Sequence, residues 1–328
     1  MRRHVTITRQ SWPLKKTFTI ARGSKTTAET LIVAIREGNA VGYGESVPYA
    51  RYGESLDSVA QQIIALQNDL ERGLGRVSLQ QALPPGAARN AVDCALWDLE
   101  VKESQLALWQ LVGLQGPAQA LETTFTLGLN TPEAMAADAI AHSHHNLLKL
   151  KLTGEGDLER VRAVRAAAPD NRLIVDVNEG WEVSHYDSFT PEFAALGVAA
   201  LEQPFPAGQD HLLDSRPRPV PLCADESCHD RHSLQNLQGR YDMINIKLDK
   251  TGGLTEALAL KQDAQNAGFD IMVGCMVASS LAMAPAFFVA QGAQIVDLDG
   301  PLLLVEEADP RFHFEGGFMH PPPPALWG

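Results

Sequence analysis

Three carboxylates recur in this chain at the spacing of one βα unit. Asp176, Glu202 and Asp225 stand 26 and 23 residues apart, and each ends a short apolar run. A parallel strand with its crossover helix needs about that much chain. On neighbouring strands the three side chains would stand side by side, repel one another and raise one another's pKa. A hard divalent cation relieves the repulsion, and oxygen-only ligation suits Mg2+ better than Zn2+, which favours His and Cys. One Mg2+ per site is therefore expected on Asp176, Glu202 and Asp225. Lys151 and Lys247 end the runs on either side of this trio. They would flank a substrate carboxylate bound to the cation, one lysine on each face of its α carbon. Such an arrangement moves an α proton: the cation stabilises the developing enediolate while a neutral Lys takes the proton. The cation, together with Lys149 two residues from Lys151, would push the lysine pKa down towards working pH.

The elements that must position these groups are legible in the chain. Val5 to Thr8, Thr30 to Arg36 and Gly42 to Ser46 read as strands; Leu56 to Leu70 and Ala87 to Lys102 read as amphipathic helices. From Thr123 onwards eight β-rich runs alternate with helical periods: Thr123 to Leu127, Leu147 to Lys151, Leu173 to Val177, Ala199 to Glu202, Pro221 to Asp225, Met243 to Lys247, Asp270 to Val273 and Gln294 to Asp297. This is the pattern of an α/β protein with a modified (β/α)8-type barrel, in which chemistry sits at the C-terminal strand ends. An open doubly wound sheet is the alternative. Little chain remains after Asp299 for an eighth helix, so the expected form is (β/α)7β. The expected domains are an α+β capping domain over 1–118, the barrel over 119–304, and a tail over 305–328 that returns to the capping domain. Phe312, Phe314, Phe318 and Trp327 give that tail apolar side chains to bury.

Composition narrows the partners. A net charge of −13 without a Lys/Arg cluster argues against nucleic acid and anionic membranes. Basic residues at the N-terminus are not followed by an apolar segment, and no run approaches about 18 apolar residues, so a cytoplasmic address is expected. Cys94, Cys223, Cys228 and Cys275 lack metal or disulfide spacing and read as reduced core thiols. A homo-oligomer is compatible with the sequence.

The segments Lys149-Leu-Lys151, Asp176-Val-Asn178, Glu202-Gln-Pro, Ala224-Asp225-Glu226-Ser and Asn245-Ile-Lys247 resemble the enolase superfamily, specifically its muconate-lactonizing subgroup, over nearly the whole chain. The helix from Ala88 to Leu99 is similar to the subgroup's capping-domain helix. The superfamily uses a Lys or His base together with magnesium. The resemblance thus implies Lys151 and Lys247 as the acid/base pair, with Asn178 and Glu226 supporting the metal ligands. Asp297-Leu-Asp299 is similar to the dipeptide epimerases' site for a substrate α-ammonium, and the strand period of two puts both carboxylates on one face. The segments around Arg22 and Arg51 resemble the specificity loops of alanyl-glutamate epimerases, where a cation meets an acidic side chain. Lys149 and Thr126 complete the substrate-binding candidates.

What the resemblance implies is Mg2+-dependent epimerisation of a dipeptide, L-Ala-D/L-Glu, by 1,1-proton transfer at the C-terminal residue. Recycling of cell-wall (murein) peptide would follow from that substrate. The runner-up keeps fold and metal but performs o-succinylbenzoate synthesis, cycloisomerisation or N-acylamino-acid racemisation. A catalytically silent binding protein is the distant alternative, disfavoured because no lysine or ligand is missing. The segment Cys275 to Ser280 carries no charge and offers only backbone or hydroxyl contacts.

Overall fold

The computed structural model describes residues 2–104 and 106–328. Its N-terminal part is an antiparallel sheet of β1 (His4–Ile20), β2 (Gly23–Glu37) and β3 (Ala40–Ser46), backed by α1 (Leu56–Glu71), α2 (Arg76–Ala82) and α3 (Ala87–Ser104). Leu31, Val33 and Ile35 alternate onto the helical side and are fully buried. Helix α1 opens with a reciprocal cap, in which Ser55 accepts from the Ser58 amide and Ser58 from the Ser55 amide. Strand β3 rides directly on α3. A Cβ at Gly42 would fall 2.0 Å from the Ala95 carbonyl oxygen, and one at Gly44 2.1 Å from that of Ala91, so only glycine permits the approach.

Strands β1 and β2 run much further than their apolar alternation predicts. Beyond Pro13 the pairing shifts register and continues through Phe18↔Lys25 to Ile20↔Gly23. Most of this extension is polar, but Leu14, Phe18 and Ile20 share one face of β1 and line the cavity at the barrel mouth, and the hairpin reaches the barrel, where Leu129 N donates to Thr19 O at 3.0 Å.

After the short strand β4 (Leu121–Glu122) come β5 (Phe125–Leu127), β6 (Leu147–Lys151), β7 (Arg172–Asp176), β8 (Val198–Glu202), β9 (Leu222–Ala224), β10 (Met243–Ile246), β11 (Asp270–Gly274) and β12 (Ile295–Asp297). Strands β5 to β12 lie side by side in sequence order, with every pairing parallel. The edges meet where Thr124 N donates to Val296 O at 3.0 Å. Only a short 3-10 turn, Gly300–Leu303, follows β12, giving the (β/α)7β form.

Leu304 bridges Leu14, and Val305 N donates to Pro13 O. The chain then forms a hairpin of β13 (Phe314–Glu315) and β14 (Phe318–Met319), which pairs with β4. It ends against the capping domain, where Trp327 Nε1 donates to Tyr43 O at 2.8 Å and Gly328 N to Asp98 Oδ1 at 2.8 Å. The tail thus lines the barrel's N-terminal end before it returns to the cap. Among the described residues no helix is long and apolar enough to cross a membrane.

Candidate active site

The strand period of two stacks the barrel interior in layers. Leu147, Ile174, Ala200, Cys223, Met243, Met272 and Ile295 form a buried apolar cluster of their own. Two residues further along the same strands stand Lys149, Asp176, Glu202, Asp225, Asn245, Gly274 and Asp297. Two further still come Lys151, Lys247 and Asp299. An apolar plug therefore seals the barrel below a charged layer, and the lysines stand above it at the mouth. At Gly274 a Cβ would lie 2.7 Å from Asn245 Oδ1 and 3.1 Å from Lys247 Cε, so glycine leaves the room that these side chains fill.

Within the layer every charge is matched at contact distance. Lys149, 1% exposed, lies 2.7 Å from Asp297 Oδ2 and 3.2 Å from Asp176 Oδ2. It also approaches Glu202 Oε2 to 2.6 Å, as an ion pair without hydrogen-bond alignment. Lys151 Nζ is 2.5 Å from Asp176 Oδ2, and Lys247 Nζ is 2.6 Å from Asp225 Oδ2. Burial opposes ionisation of Asp176, but Lys151 and Lys149 override it and hold the carboxyl below its usual range. Asp225 is treated likewise by Lys247 and Lys250, and sits well below. Glu202 goes the other way: burial and Asp176 push it up to about 8 against the pull of Lys149. For Lys247 burial lowers the pKa, yet the facing Asp225 and Glu202 carry it well above the usual range.

The donor set fits Mg2+. Buried oxygens Glu202 Oε2, Glu226 Oε2 and Asn178 Oδ1 accept no hydrogen bond, although a buried acceptor ordinarily does. With the Asp176 and Asp225 carboxylates they make an oxygen-only set, with no imidazole or thiolate among them.

Asp297 and Asp299 both face the mouth, but they are not equivalent. Asp297 is held by Lys149 and by Thr124 Oγ1 at 2.5 Å. Asp299 Oδ2 accepts from the Thr126 amide at 2.6 Å, while burial and the neighbouring Asp297 push its pKa up to about 7. Thr126 thus supports Asp299 through its backbone.

The long β1–β2 hairpin and the loop after β3 roof the site. Arg22, at the hairpin tip, donates to Asn178 O at 2.8 Å, to Glu226 Oε1 at 2.7 Å and to Tyr49 Oη at 2.9 Å, and pairs with Glu179 at 3.1 Å. Arg51 meets Glu179 through two hydrogen bonds of 2.8 and 2.7 Å. Both predicted arginines therefore lie at the roof, tied to carboxylates of the barrel rim. Lys25 also lines the cavity, 5.5 Å from the Tyr49 ring centre, and desolvation lowers its pKa. It makes no ion pair among the described residues. The enclosed space is about 480 Å³, within the range of roughly 300–1,000 Å³ common for small-molecule sites. Cys275, Met276 and Val277 line it, whereas Ser279 bonds to Glu45 and Ser280 Oγ donates to Glu307 at 2.8 Å. The hydroxyls of that segment therefore serve the cap and tail instead of the cavity.

Four important groups were not singled out from the sequence. Lys250, 1% exposed on the short helix Leu248–Thr251, donates to Asp225 Oδ1 at 2.6 Å. Its three-residue offset from Lys247, one turn on, was a usable signal. Gln203 adopts φ 38°, and its Oε1 accepts from Asp225 N and Ser227 N. Its left-handed backbone is sparsely populated for a non-glycine residue. Glu179, at φ 69°, anchors both arginines, and Lys25 is one more polar residue of a polar hairpin. Neither carried a local signal.

A capped barrel with three carboxylates placed to receive a cation and lysines on either side of them is the arrangement of the enolase class of α-proton-transfer enzymes. The chain belongs to the mandelate racemase/muconate lactonizing enzyme family of that superfamily: residues 2–113 match its N-terminal domain and residues 133–325 the enolase C-terminal domain-like family. It is 46% identical over 320 residues to the L-Ala-D/L-Glu epimerase of Escherichia coli K12, covering 97% of this chain and 99% of that one. It is 45% identical over 300 residues to an N-acetyl-D-glutamate racemase from a Pseudoalteromonas species, covering 91% and 95%. A crystal structure of an Agrobacterium tumefaciens enolase family member with homology to dipeptide epimerases, holding sodium and L-Ala-L-Glu, superposes with a TM-score of 0.98 at 49% identity, over 99% and 100% of the two chains. The dipeptide epimerase of Enterococcus faecalis V583, complexed with Mg and L-Leu-L-Tyr, does so at 0.90 and 29% identity over 98% and 97%.

Proposed function

We propose that this isomerase epimerises dipeptides at the α carbon of the C-terminal residue, with L-Ala-D/L-Glu as substrate and Lys151 and Lys247 as the acid/base pair. The observation that carries the reading is their placement on β6 and β10, four strands apart in a ring of eight, with the Asp176–Glu202–Asp225 set between them. Bound to these three carboxylates, Mg2+ would hold the substrate carboxylate and stabilise the enediolate charge. Lys247 is kept protonated by Asp225; when that carboxylate acts as a ligand its pull on the ammonium weakens, and a neutral amine becomes accessible. One lysine takes the α proton from its face and the other returns a proton to the opposite face. Asp299 receives the α-ammonium, while Asp297 keeps Lys149 in place beside it. Arg22 and Arg51 hold the roof closed, and the roof supplies the positive charge that an acidic second residue would meet.

The two-lysine role is tested in deuterated water. Lys247→Ala and Lys151→Ala should each lose interconversion, by about 10²-fold or more, while each still washes the α proton of one isomer into solvent. A variant that interconverts isomers at the wild-type rate sinks the two-base scheme. The 45% identity to an N-acetyl-D-glutamate racemase supports a second reading, N-acylamino-acid racemisation. It shares the lysines and the metal but needs no α-ammonium site.

A further inference from the structure

At the barrel end away from the mouth, the tail builds a second candidate ligand set of different chemistry. The segment His313-Phe-Glu-Gly-Gly-Phe-Met-His320 folds as the β13–β14 hairpin, with pairs Phe314↔Met319 and Glu315↔Phe318. Gly316 and Gly317 make the two-residue turn with φ 57° and 81°, the left-handed pair that a tight hairpin requires. The next pair outward is His313 and His320, joined by His320 N donating to His313 O at 3.0 Å. Alternation puts Met319, fully buried, on one face and His313, Glu315 and His320 together on the other. Pairing of β14 with β4 and the hydrogen bond from Thr123 N to Gly317 O fix the hairpin to the barrel.

On that outer face one ligand atom from each of the three residues can be chosen so that all lie within 4.8 Å of one another. Glu315 Oε2 is 3.7 Å from His313 Nε2 and 4.0 Å from His320 Nε2, and the imidazole centroids are 5.0 Å apart. Two ligand atoms bound tetrahedrally at about 2.1 Å from one ion sit roughly 3.4 Å apart. The two carboxylate–imidazole gaps therefore exceed that spacing by only a few tenths of an ångström, and His313 and Glu315 are exposed while His320 is half-buried, so side-chain rotation can bring the three ligand atoms together. Two imidazoles and one carboxylate suit a first-row transition ion and not Mg2+, the reverse of the oxygen-only set at the mouth.

We propose that His313, Glu315 and His320 bind one Zn2+-class ion, with water completing its shell, at a site separate from the catalytic cation. The test uses the tag-free full chain in saturating Mg2+, titrated with Zn2+ by calorimetry and with Co2+ by visible absorption. The expected result is one binding event that weakens at least about tenfold in His313→Ala and in His320→Ala and is weakened in Glu315→Gln. A His142→Ala/His144→Ala double variant should bind as wild type does, which separates the hairpin from the other surface histidines. The His313→Ala/His320→Ala double variant should keep the wild-type melting temperature in the absence of Zn2+, and its epimerase rate. Wild-type protein that binds no Zn2+ beyond the affinity of the double variant overturns the proposal, as does loss confined to the His142/His144 variant.

Discussion

Asp299 offers the sharpest separation of a dipeptide epimerase from an N-acylamino-acid racemase. Asn at this position keeps an oxygen for the Thr126 amide, which now donates at 2.6 Å, and removes only the charge. If Asp299 receives an α-ammonium, the substitution deletes a charge-assisted hydrogen bond in a site where the residue is 4% exposed. Such a bond contributes about 1.5–3 kcal/mol, so kcat/KM for L-Ala-L-Glu should fall roughly 10- to 150-fold. For N-acetyl-glutamate, which has no ammonium, the change should stay within about threefold, below ~1 kcal/mol. A pH signature accompanies the loss. Burial and Asp297 raise the free-enzyme pKa of Asp299 to about 7, so its neutral form takes over as pH falls through 7. Wild-type kcat/KM for the dipeptide should therefore drop on that acid limb. Asp299→Asn should lack that component while retaining the limbs due to other groups. The assay is incorporation of solvent deuterium at the α carbon, read by mass from pH 5.5 to 9. Equal losses on the two substrates, or an unchanged acid limb in the variant, would refute the assignment.

Lys25 carries a positive charge of the roof that no carboxylate pairs with among the described residues, so Lys25→Met should lower kcat/KM for L-Ala-L-Glu by roughly tenfold or more and leave L-Ala-L-Leu nearly unchanged. Parallel loss on both dipeptides would mean that Lys25 only shapes the hairpin. Asp249 joins the cap to the barrel, accepting from Val47 N at 3.0 Å and Asn90 Nδ2 at 2.8 Å. Burial pushes its pKa up to about 7 from the ordinary 3.8, so its favourable neutral form is fully present below about 4 and lost as pH rises through 7. Asp249→Asn should thus match wild type in urea unfolding near pH 4 and exceed it at pH 8, by up to about 4 kcal/mol. Equal midpoints at pH 8 would show that the carboxylate is stabilised there by something other than these two donors.

The layout of the candidate site was readable in sequence because it rests on local rules. A strand alternates with period two and a βα unit returns after 20-odd residues, so Lys149, Lys151, Asp176, Glu202, Asp225, Lys247, Asp297 and Asp299 had to collect at one end of one barrel. Two residues back along each strand, the same rule places the apolar plug from Leu147 to Ile295. What tertiary structure alone decided is who pairs with whom. Arg51 finds Glu179 across 128 residues, Arg22 finds Glu226 across 204, and Trp327 finds Tyr43 across 284. No periodicity encodes such pairs, because they form only once the barrel has closed and the cap has docked. The same holds for the far end of the β1–β2 hairpin, whose few apolar side chains, Leu14, Phe18 and Ile20, face the cavity and whose order comes from the barrel rim it touches. Sequence determined the charged layer and the lysines above it; docking of the cap determined which cations are left without a carboxylate partner among the described residues.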